Sequence, residues 1–279
     1  MSRFFVKTEP ADLQNGLIVI TGEDVKHIAS VLRARPGDAL ELCDGEGTDY
    51  DAVIEQMTKE SVITRIKGSK ANNTEAPIDI TLFQGIPKSD KMDFIIQKCV
   101  ELGVNRFVPV TAARSVVKFK DARDAAAKTT RWERIAHEAA KQCGRGRLPV
   151  VEEPMGQQQA LKLADECGLK LLPYEEEIEG GLRNVLASYI RAISGDTEMR
   201  TTENLACETQ TIANQTSDLR KIAIFIGPEG GFERSETEKA VQSGFKSVKL
   251  GPRILRTETA GIAVASIVMY ELGDMGGAV

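Results

Sequence analysis

Two short segments carry residue types suited to holding a ligand and stabilising charge. Gly227-Pro228-Glu229-Gly230-Gly231 follows the apolar run Lys221–Ile226 and precedes a helical pattern. Glycines at a strand-to-helix junction let the backbone approach a ligand closely and adopt positive φ. Ligands of open α/β sheets bind beyond the carboxyl ends of the strands. A tight turn explains the same five residues equally well. The second segment, Leu250 to Ala260 (LGPRILRTETA), joins another strand to another helix and sets Arg253 and Arg256 in a short loop. The free N–H donors of that helix end favour a nearby anionic or polar ligand. The alternative is that Arg256 only pairs with Glu258 or Glu229.

Other chemistries lack their residues. No Gly-Lys-Ser/Thr follows the glycine loop, and the GxGxxG spacing of dinucleotide folds is missing, which disfavours a nucleotide-binding metabolic enzyme. Cysteines stand at 43, 99, 143, 167 and 207 with no CxxC spacing and an odd total, so neither a zinc site nor a disulfide framework is expected. His27 and His137 are the only histidines, too few for a histidine-rich metal site, and no metal is expected. Both lie in helical stretches and read as structural. Aromatic residues are 5% of the chain, too few for broad stacking platforms on single-stranded nucleic acid. Trp132, at a helix start, reads as core.

The elements that must position these loops fall into two groups. Phe4–Val6, Leu17–Ile20, Ala39–Leu42, Tyr50–Glu55 and Ser61–Ile66 are β-prone runs around one helical piece, Gly22–Leu32, which suggests a small barrel. Lys70–Pro77 is a polar linker, and the boundary is placed between a domain of 1–72 and one of 73–279. Beyond it strands alternate with helices. Strands are expected at Ile78–Gln84, Arg106–Val110, Pro149–Val151, Leu169–Pro173, Lys221–Ile226 and Lys246–Leu250. Helices are expected from Ser89 or Asp90 to Leu102, from a Thr130–Glu133 capping box to Gln142, over Gly181–Ile190, from a Ser235–Glu238 box to Gly244, and over Thr257–Leu272. This alternation implies an α/β fold with a mostly parallel sheet. The last helix is apolar nearly all round, so it should be buried against the sheet or another subunit. Residues 191–219 are polar, Thr-rich and aperiodic, and read as a flexible surface insertion.

Charge is unevenly spread. The chain carries 36 basic and 41 acidic residues, net −5, yet Arg114–Arg147 holds 10 basic against 4 acidic. A concentrated basic segment fits a polyanionic partner; a solvated helix face is the plainer reading. The longest apolar stretch, Ala260–Met269, is about half the ~20 residues that span a bilayer. Met1–Pro10 has no apolar region long enough for a signal peptide. A soluble, cytoplasmic protein without a membrane partner is expected.

Taken together, GPEGG after a strand followed by LGPRILRTETA resembles the signature of the SPOUT methyltransferases, and more narrowly the family of ribosomal RNA small subunit methyltransferases that make N3-methyluridine. Further matching pieces are Gly85–Asp93 (GIPKSDKMD), Lys98–Val104 (KCVELGV), Arg131-Trp132 through Ala139–Gln142, Arg3–Phe5 and His27–Asp38. The resemblance covers both domains in order and chiefly omits 191–219.

That resemblance implies a PUA-like RNA-binding barrel over 1–72 and a SPOUT domain over 73–279 whose last segments form a trefoil knot. It implies S-adenosyl-L-methionine as cofactor, a homodimer, and small-subunit ribosomal RNA as substrate. The cofactor would lie among three loops: Leu172 and Pro173 from the first; Ile226, Gly227, Pro228, Gly230 and Gly231 from the second; Leu250, Gly251, Pro252, Ile254 and Leu255 from the third, with Thr259 and Ala260 beyond. The acidic run Glu175–Glu177 beside the first loop is expected to point outward, because it would repel phosphate. Arg256, then Arg253, would stabilise the uracil anion as N3 loses its proton. Glu229 and Glu258 are both candidates for the proton acceptor, with nothing in the sequence choosing between them, and water is the alternative. RNA phosphates would meet Arg3, Arg33 and Arg35 of the barrel, and Lys88, Lys91, Arg114, Arg131, Arg134, Lys141, Arg145 and Arg147 of the basic stretch; Gln142 is the candidate base contact. Two other functions remain open: a SPOUT enzyme acting on another RNA such as transfer RNA, and a non-catalytic RNA-binding or ribosome-assembly protein on the same fold.

Overall fold

The computed structural model describes residues 3–117, 119–177, 180–193 and 219–276. The segment 191–219, read as an insertion, therefore lies almost wholly outside the described residues. The chain forms two compact units: one of Met1–Glu75 with His137–Leu148, the other of Ala76–Ala136 with Pro149–Val279.

The first unit is a five-stranded sheet, β1 (Arg3–Phe5), β2 (Leu17–Thr21), β3 (Ala39–Cys43), β4 (Thr48–Met57) and β5 (Ser61–Ala71), in the order β1-β3-β4-β5-β2. Only β1–β3 is parallel. Alternating side chains such as Ile18, Ile20, Leu40, Leu42, Ala52 and Ile54 fill its core with Phe4, Val25 and Ile28, as a half-buried strand pattern requires. A short helix not expected from sequence, α1 (Pro10–Gln14), precedes β2, and Gly22–Leu32 becomes α2 (Glu23–Lys26) followed by a π-turn over His27–Val31.

Charged groups bind the unit internally. The Arg3 guanidinium donates to Glu41 (3.0 Å), Asp49 (2.6 Å) and the Arg145 carbonyl (3.0 Å). Arg145 in turn meets Glu75 at 2.7 Å, and Glu75 also accepts the backbone N–H groups of Gly146 (2.9 Å) and Arg147 (3.0 Å). Burial pushes the Glu75 carboxyl up, but the Arg145 guanidinium and the two N–H donors outweigh it and hold the group below the usual carboxylate range. Asp49 is held low in the same way, by Asn72 and Arg3 against burial.

The second unit is a parallel seven-stranded sheet: β6 (Asp79–Gly85), β7 (Arg106–Thr111), β8 (Val150–Val151), β9 (Met155–Gly156), β10 (Leu169–Pro173), β11 (Lys221–Ile226) and β12 (Lys246–Val248). Its order is β12-β10-β11-β6-β7-β8, with β9 also on β7. The chain steps outward from β6 to β8, then crosses to β10 and places β11 beside β6. That reversal makes the β6/β11 junction the switch point of the sheet. Helices α3 (Lys91–Glu101), α4 (Ala122–Cys143, whose residues from His137 onward belong to the first unit), α5 (Gln157–Leu163), α6 (Leu182–Ile193), α7 (Arg234–Gln242) and α8 (Thr257–Leu272) accompany it. Phe83, Phe225, Phe232 and Phe245 pack on one another, with Phe225 and Phe232 ring centroids 4.8 Å apart, an edge-to-face arrangement that aromatic quadrupoles favour.

Two helix starts differ from the sequence reading. Helix α4 begins at Ala122, eight residues before the Thr130 box, because Asp121 accepts the Asp124 N–H at 2.8 Å and caps it there. Helix α7 begins at Arg234, because Glu233 and Glu236 form the capping box instead of Ser235 and Glu238. Helix α8 buries Ala260, Gly261, Val264, Ala265, Val268 and Met269, while Ile267 and Tyr270 on its other side are exposed. Among the described residues no helix is long and apolar enough to cross a membrane, and no three metal-ligating side chains gather.

Candidate functional site

Three neighbouring strands, β12, β10 and β11, deliver three loops to one end of the parallel sheet. The loops are Pro173–Glu177, Gly227–Gly231 and Leu250–Arg256. They enclose two adjoining cavities of about 330 Å³ and about 150 Å³, which share Pro173, Glu175, Ile254, Leu255 and Ala260 as lining. The larger volume lies in the range of small-molecule sites. Ile226, Gly227, Pro228 and Gly231 complete the larger cavity; Leu250, Gly251 and Pro252 complete the smaller. Of the remaining candidates, Leu172 lies in the core beneath, Thr259 is exposed away from both cavities, and Gly230 turns toward Arg114, whose Nη1 donates to its carbonyl at 3.1 Å.

The second loop closes on itself through the Gly231 N–H, which donates to the Pro228 carbonyl at 2.9 Å with Gly231 at φ 65°. A side chain at 231 would also be strained, because its Cβ would stand 2.9 Å from Glu175 Oε1. This proximity corrects the expectation that Glu175 points outward: its carboxylate faces the cleft and lines both cavities. The reason is the turn after β10, where the Tyr174 N–H bonds the Val248 carbonyl of β12 and turns the next side chain inward. Glu176 meanwhile accepts the Tyr174 hydroxyl at 2.8 Å.

Arg256 and Glu229 line the larger cavity, and Arg253 the smaller. Arg256 is exposed at the N-cap of α8, and no ion pair ties its guanidinium among the described residues. The pairing of Arg256 with Glu258 or Glu229, open on sequence alone, does not form. Both glutamates belong to Lys91 instead, whose Nζ lies 3.1 Å from Glu229 and 3.2 Å from Glu258. Glu229 also accepts the Lys88 N–H at 3.0 Å, beside Ser89 in the left-handed region at φ 56°. Burial pushes the Glu229 carboxyl up, while the backbone N–H groups of Glu229 and Lys88 and the Lys91 ammonium hold it below the usual range. A carboxylate so fully engaged is a weak base. Contacts with the carboxylates of Glu229 and then Glu258 hold the Lys91 ammonium above its ordinary range.

Sequence reasoning did not single out Glu175, Phe232 or Thr257 as lining, nor Gln84, the last polar group beneath the second loop. Gln84 had a signal: it is an amide in the otherwise apolar end of β6.

The RNA candidates divide by burial. Arg3 and Arg145 are held inside the first unit with side chains 8% and 4% exposed, so their charge is spent on carboxylates and not offered to phosphate. Lys141 pairs with Asp24 at 3.1 Å, and Arg131 with Asp93. Lys91 belongs to the cleft. Arg33, Arg35, Gln142 and Arg147 are exposed on the first unit, and Lys88, Arg114 and Arg134 on the second. Trp132 is buried, as its core reading requires.

Comparison with known proteins places this geometry. Residues 74–269 match the model of an RNA methyltransferase domain, and residues 20–67 that of an RNA methyltransferase PUA domain. The chain is 31% identical over 272 residues to the ribosomal RNA small subunit methyltransferase E of Bacillus subtilis, covering 97% of each. A ribosomal RNA small subunit methyltransferase E from Neisseria gonorrhoeae, solved bound to S-adenosyl methionine, superposes with a TM-score of 0.76 at 31% identity over 99% of both chains. A Legionella pneumophila methyltransferase, solved with its bound cofactor SAM, superposes with a TM-score of 0.78 at 30% identity, again over 99% of both. With both of its domains matched in order, the chain belongs to the ribosomal RNA small subunit methyltransferase E family of RNA methyltransferases.

Proposed function

We propose that this chain transfers the methyl group of S-adenosylmethionine to N3 of a uridine in small-subunit ribosomal RNA, as a cytoplasmic homodimer with a knotted catalytic domain. The observation that carries the proposal is the convergence of three loops from adjacent parallel strands on one cleft with a free arginine, Arg256, at its wall. The cleft suits the cofactor chemically. Ile226, Pro228, Ile254, Leu255 and Ala260 offer apolar surface for a purine, and the Glu175 carboxylate offers negative charge to a ligand carrying sulfonium and ammonium groups.

Bound there, S-adenosylmethionine supplies an electrophilic methyl carbon; the protein's part is to position and tune. Uridine N3 holds a weakly acidic proton and attacks only as that proton leaves. Arg256 lies where a guanidinium can take up the charge that then spreads onto the uracil carbonyl oxygens, with Arg253 on the adjoining cavity as second support. Glu229 is assigned a holding role, because Lys88 and Lys91 already occupy its oxygens, and water is assigned the proton. Exposed Arg33, Arg35, Lys88, Arg114 and Arg134 are proposed to contact phosphates, which position RNA without reading sequence, and Gln142 a base.

The exposed pair Ile267 and Tyr270, three residues apart on one helix face, supports a second copy as partner. The return of α8 from edge strand β12 to pack on β6 and α3 supports the knotted path. The deciding assay offers labelled S-adenosylmethionine with undermethylated small subunits, their stripped RNA and bulk transfer RNA. N3-methyluridine from the ribosomal substrates is the expected nucleoside by mass spectrometry. Modification of transfer RNA alone would sink the ribosomal assignment, and binding of RNA without any cofactor binding would favour an assembly protein.

A further inference from the structure

Gln84 is the penultimate residue of β6, with its side chain fully buried. Its Nε2 donates to two acceptors at 2.9 Å, the Gly85 carbonyl and the Thr257 hydroxyl oxygen. Thr257, the first residue of α8 and 6% exposed, has its oxygen 2.6 Å from the Gly227 carbonyl. An amide nitrogen can only donate, so the Thr257 oxygen accepts from Gln84 and has one hydrogen left to give. That hydrogen goes to Gly227. A directed relay therefore runs from the end of β6, through the start of the closing helix, to the first peptide of the glycine loop.

Two further observations show that the relay is built for this junction. A Cβ at Gly85 would meet Pro228 N at 2.5 Å and Gly227 C at 2.9 Å, so the β6 backbone lies directly against the same peptide. Gln84 Oε1 is buried without a hydrogen-bond partner among the described residues, next to Gly261. A fold selected only for stability does not keep an unpaired buried acceptor where an apolar side chain would fit. Flipping the amide would set Oε1 against the Gly85 carbonyl and leave the single Thr257 hydrogen to be divided between Oε1 and the Gly227 carbonyl.

We infer that Gln84 is a positioning residue for the cofactor cleft: through Thr257 it fixes the orientation of the Gly227–Pro228 peptide that forms one wall. It touches no ligand itself. This rests on the methyl-transfer function proposed above, since it names what holds that site's second loop in place.

The test is calorimetric S-adenosylmethionine binding together with thermal unfolding, on the full chain and three variants. Gln84→Met removes the donor and the orphaned acceptor together, so affinity should fall by about three- to tenfold, the worth of one lost hydrogen bond, while the melting temperature holds or rises. Thr257→Val should weaken binding likewise, and Thr257→Ser, which keeps the hydroxyl, should recover most of the affinity. Opposite movement of affinity and stability is the result that a merely structural amide cannot give. If wild type binds the cofactor and Gln84→Met binds it equally well, or loses affinity only in step with stability, the relay does not position the loop. If the wild-type chain binds no S-adenosylmethionine, the functional proposal falls first and takes this one with it.

Discussion

The Lys91 ammonium lies 3.1 Å from the Glu229 carboxylate, joining the start of α3 to the glycine loop that follows β11. The same Nζ reaches Glu258 in the first turn of α8. One flexible cation thus ties together three segments that are far apart in sequence. Lys91→Met should leave two carboxylates facing one another at the cavity wall. Cofactor affinity is expected to drop a few-fold and turnover with it, whereas the salt dependence of RNA binding should hardly change. A reduced salt slope with intact cofactor affinity would return Lys91 to the RNA surface, where its charge alone had suggested it.

Arg256 is expected to behave differently. It lines the cleft yet makes no ion pair among the described residues, so its charge is available to a developing anion. Removing one such donor from a preorganised site commonly costs about 10²- to 10³-fold in turnover. Arg256→Ala should therefore lower methyl transfer about a hundredfold and alter S-adenosylmethionine affinity far less. Equal losses in both would make Arg256 a wall of the pocket and move the electrostatic role to Arg253.

Glu175 gives a prediction of opposite charge. Its carboxylate sits where the two cavities meet. Glu175→Gln preserves shape and removes that charge, so affinity for S-adenosylmethionine should fall. S-adenosylhomocysteine, which lacks the sulfonium charge, should be weakened less. Competition binding of the two ligands checks this; a larger loss for the uncharged ligand would sink the electrostatic explanation.

How far the molecule could be read from its chain differs between elements for physical reasons. The strand–loop–strand frame of the second unit was legible because buried parallel strands are continuous apolar runs, and the loops between them announce themselves by Gly and Pro. Lys221–Ile226 and the GPEGG loop are the clearest example. The grouping of His137–Leu148 with the first unit was not legible. It rests on Glu75 reaching Arg145, Gly146 and Arg147, a contact some seventy residues long that no local pattern encodes. Arginine is ordinarily a surface residue, so Arg3 and Arg145 read as phosphate contacts until their carboxylate partners came into view. The side Glu175 takes depends on one hydrogen bond between neighbouring strands. The Thr130 box was a genuine motif that lost to an earlier cap, because a helix once begun at Asp121 runs through it.

Burial of Arg145 separates it from the exposed arginines experimentally. Arg145→Ala should destabilise the first unit by roughly 3 kcal/mol, the cost of leaving Glu75 buried without its partner. Arg35→Ala should leave stability unchanged and lower the salt slope of RNA binding by about one. If Arg145→Ala instead kept its melting temperature and lost salt slope, its pairing with Glu75 would be incidental and its charge would belong to RNA.

Glu75 and Asp49 also set the behaviour of the first unit in acid. Both carboxyls are held below their ordinary range in the folded chain, by Arg145 and backbone donors in one case and by Asn72 and Arg3 in the other. A group whose folded pKa is depressed adds stability that is fully present above its unfolded value and disappears as pH falls through the folded one. The unfolded values stand near 4, so the stabilisation should be complete at neutral pH and be lost progressively below about pH 4. Glu75→Gln cannot titrate. It should melt lower than wild type at neutral pH, since Arg145 is left buried beside a neutral amide, and the gap should close as the solution is acidified. Calorimetry of the full chain from about pH 7 to about pH 3 measures both curves. Curves that stay parallel across that range would mean that the Glu75 carboxylate contributes nothing that depends on its charge, and the clamp on residues 145–147 would then rest on packing alone.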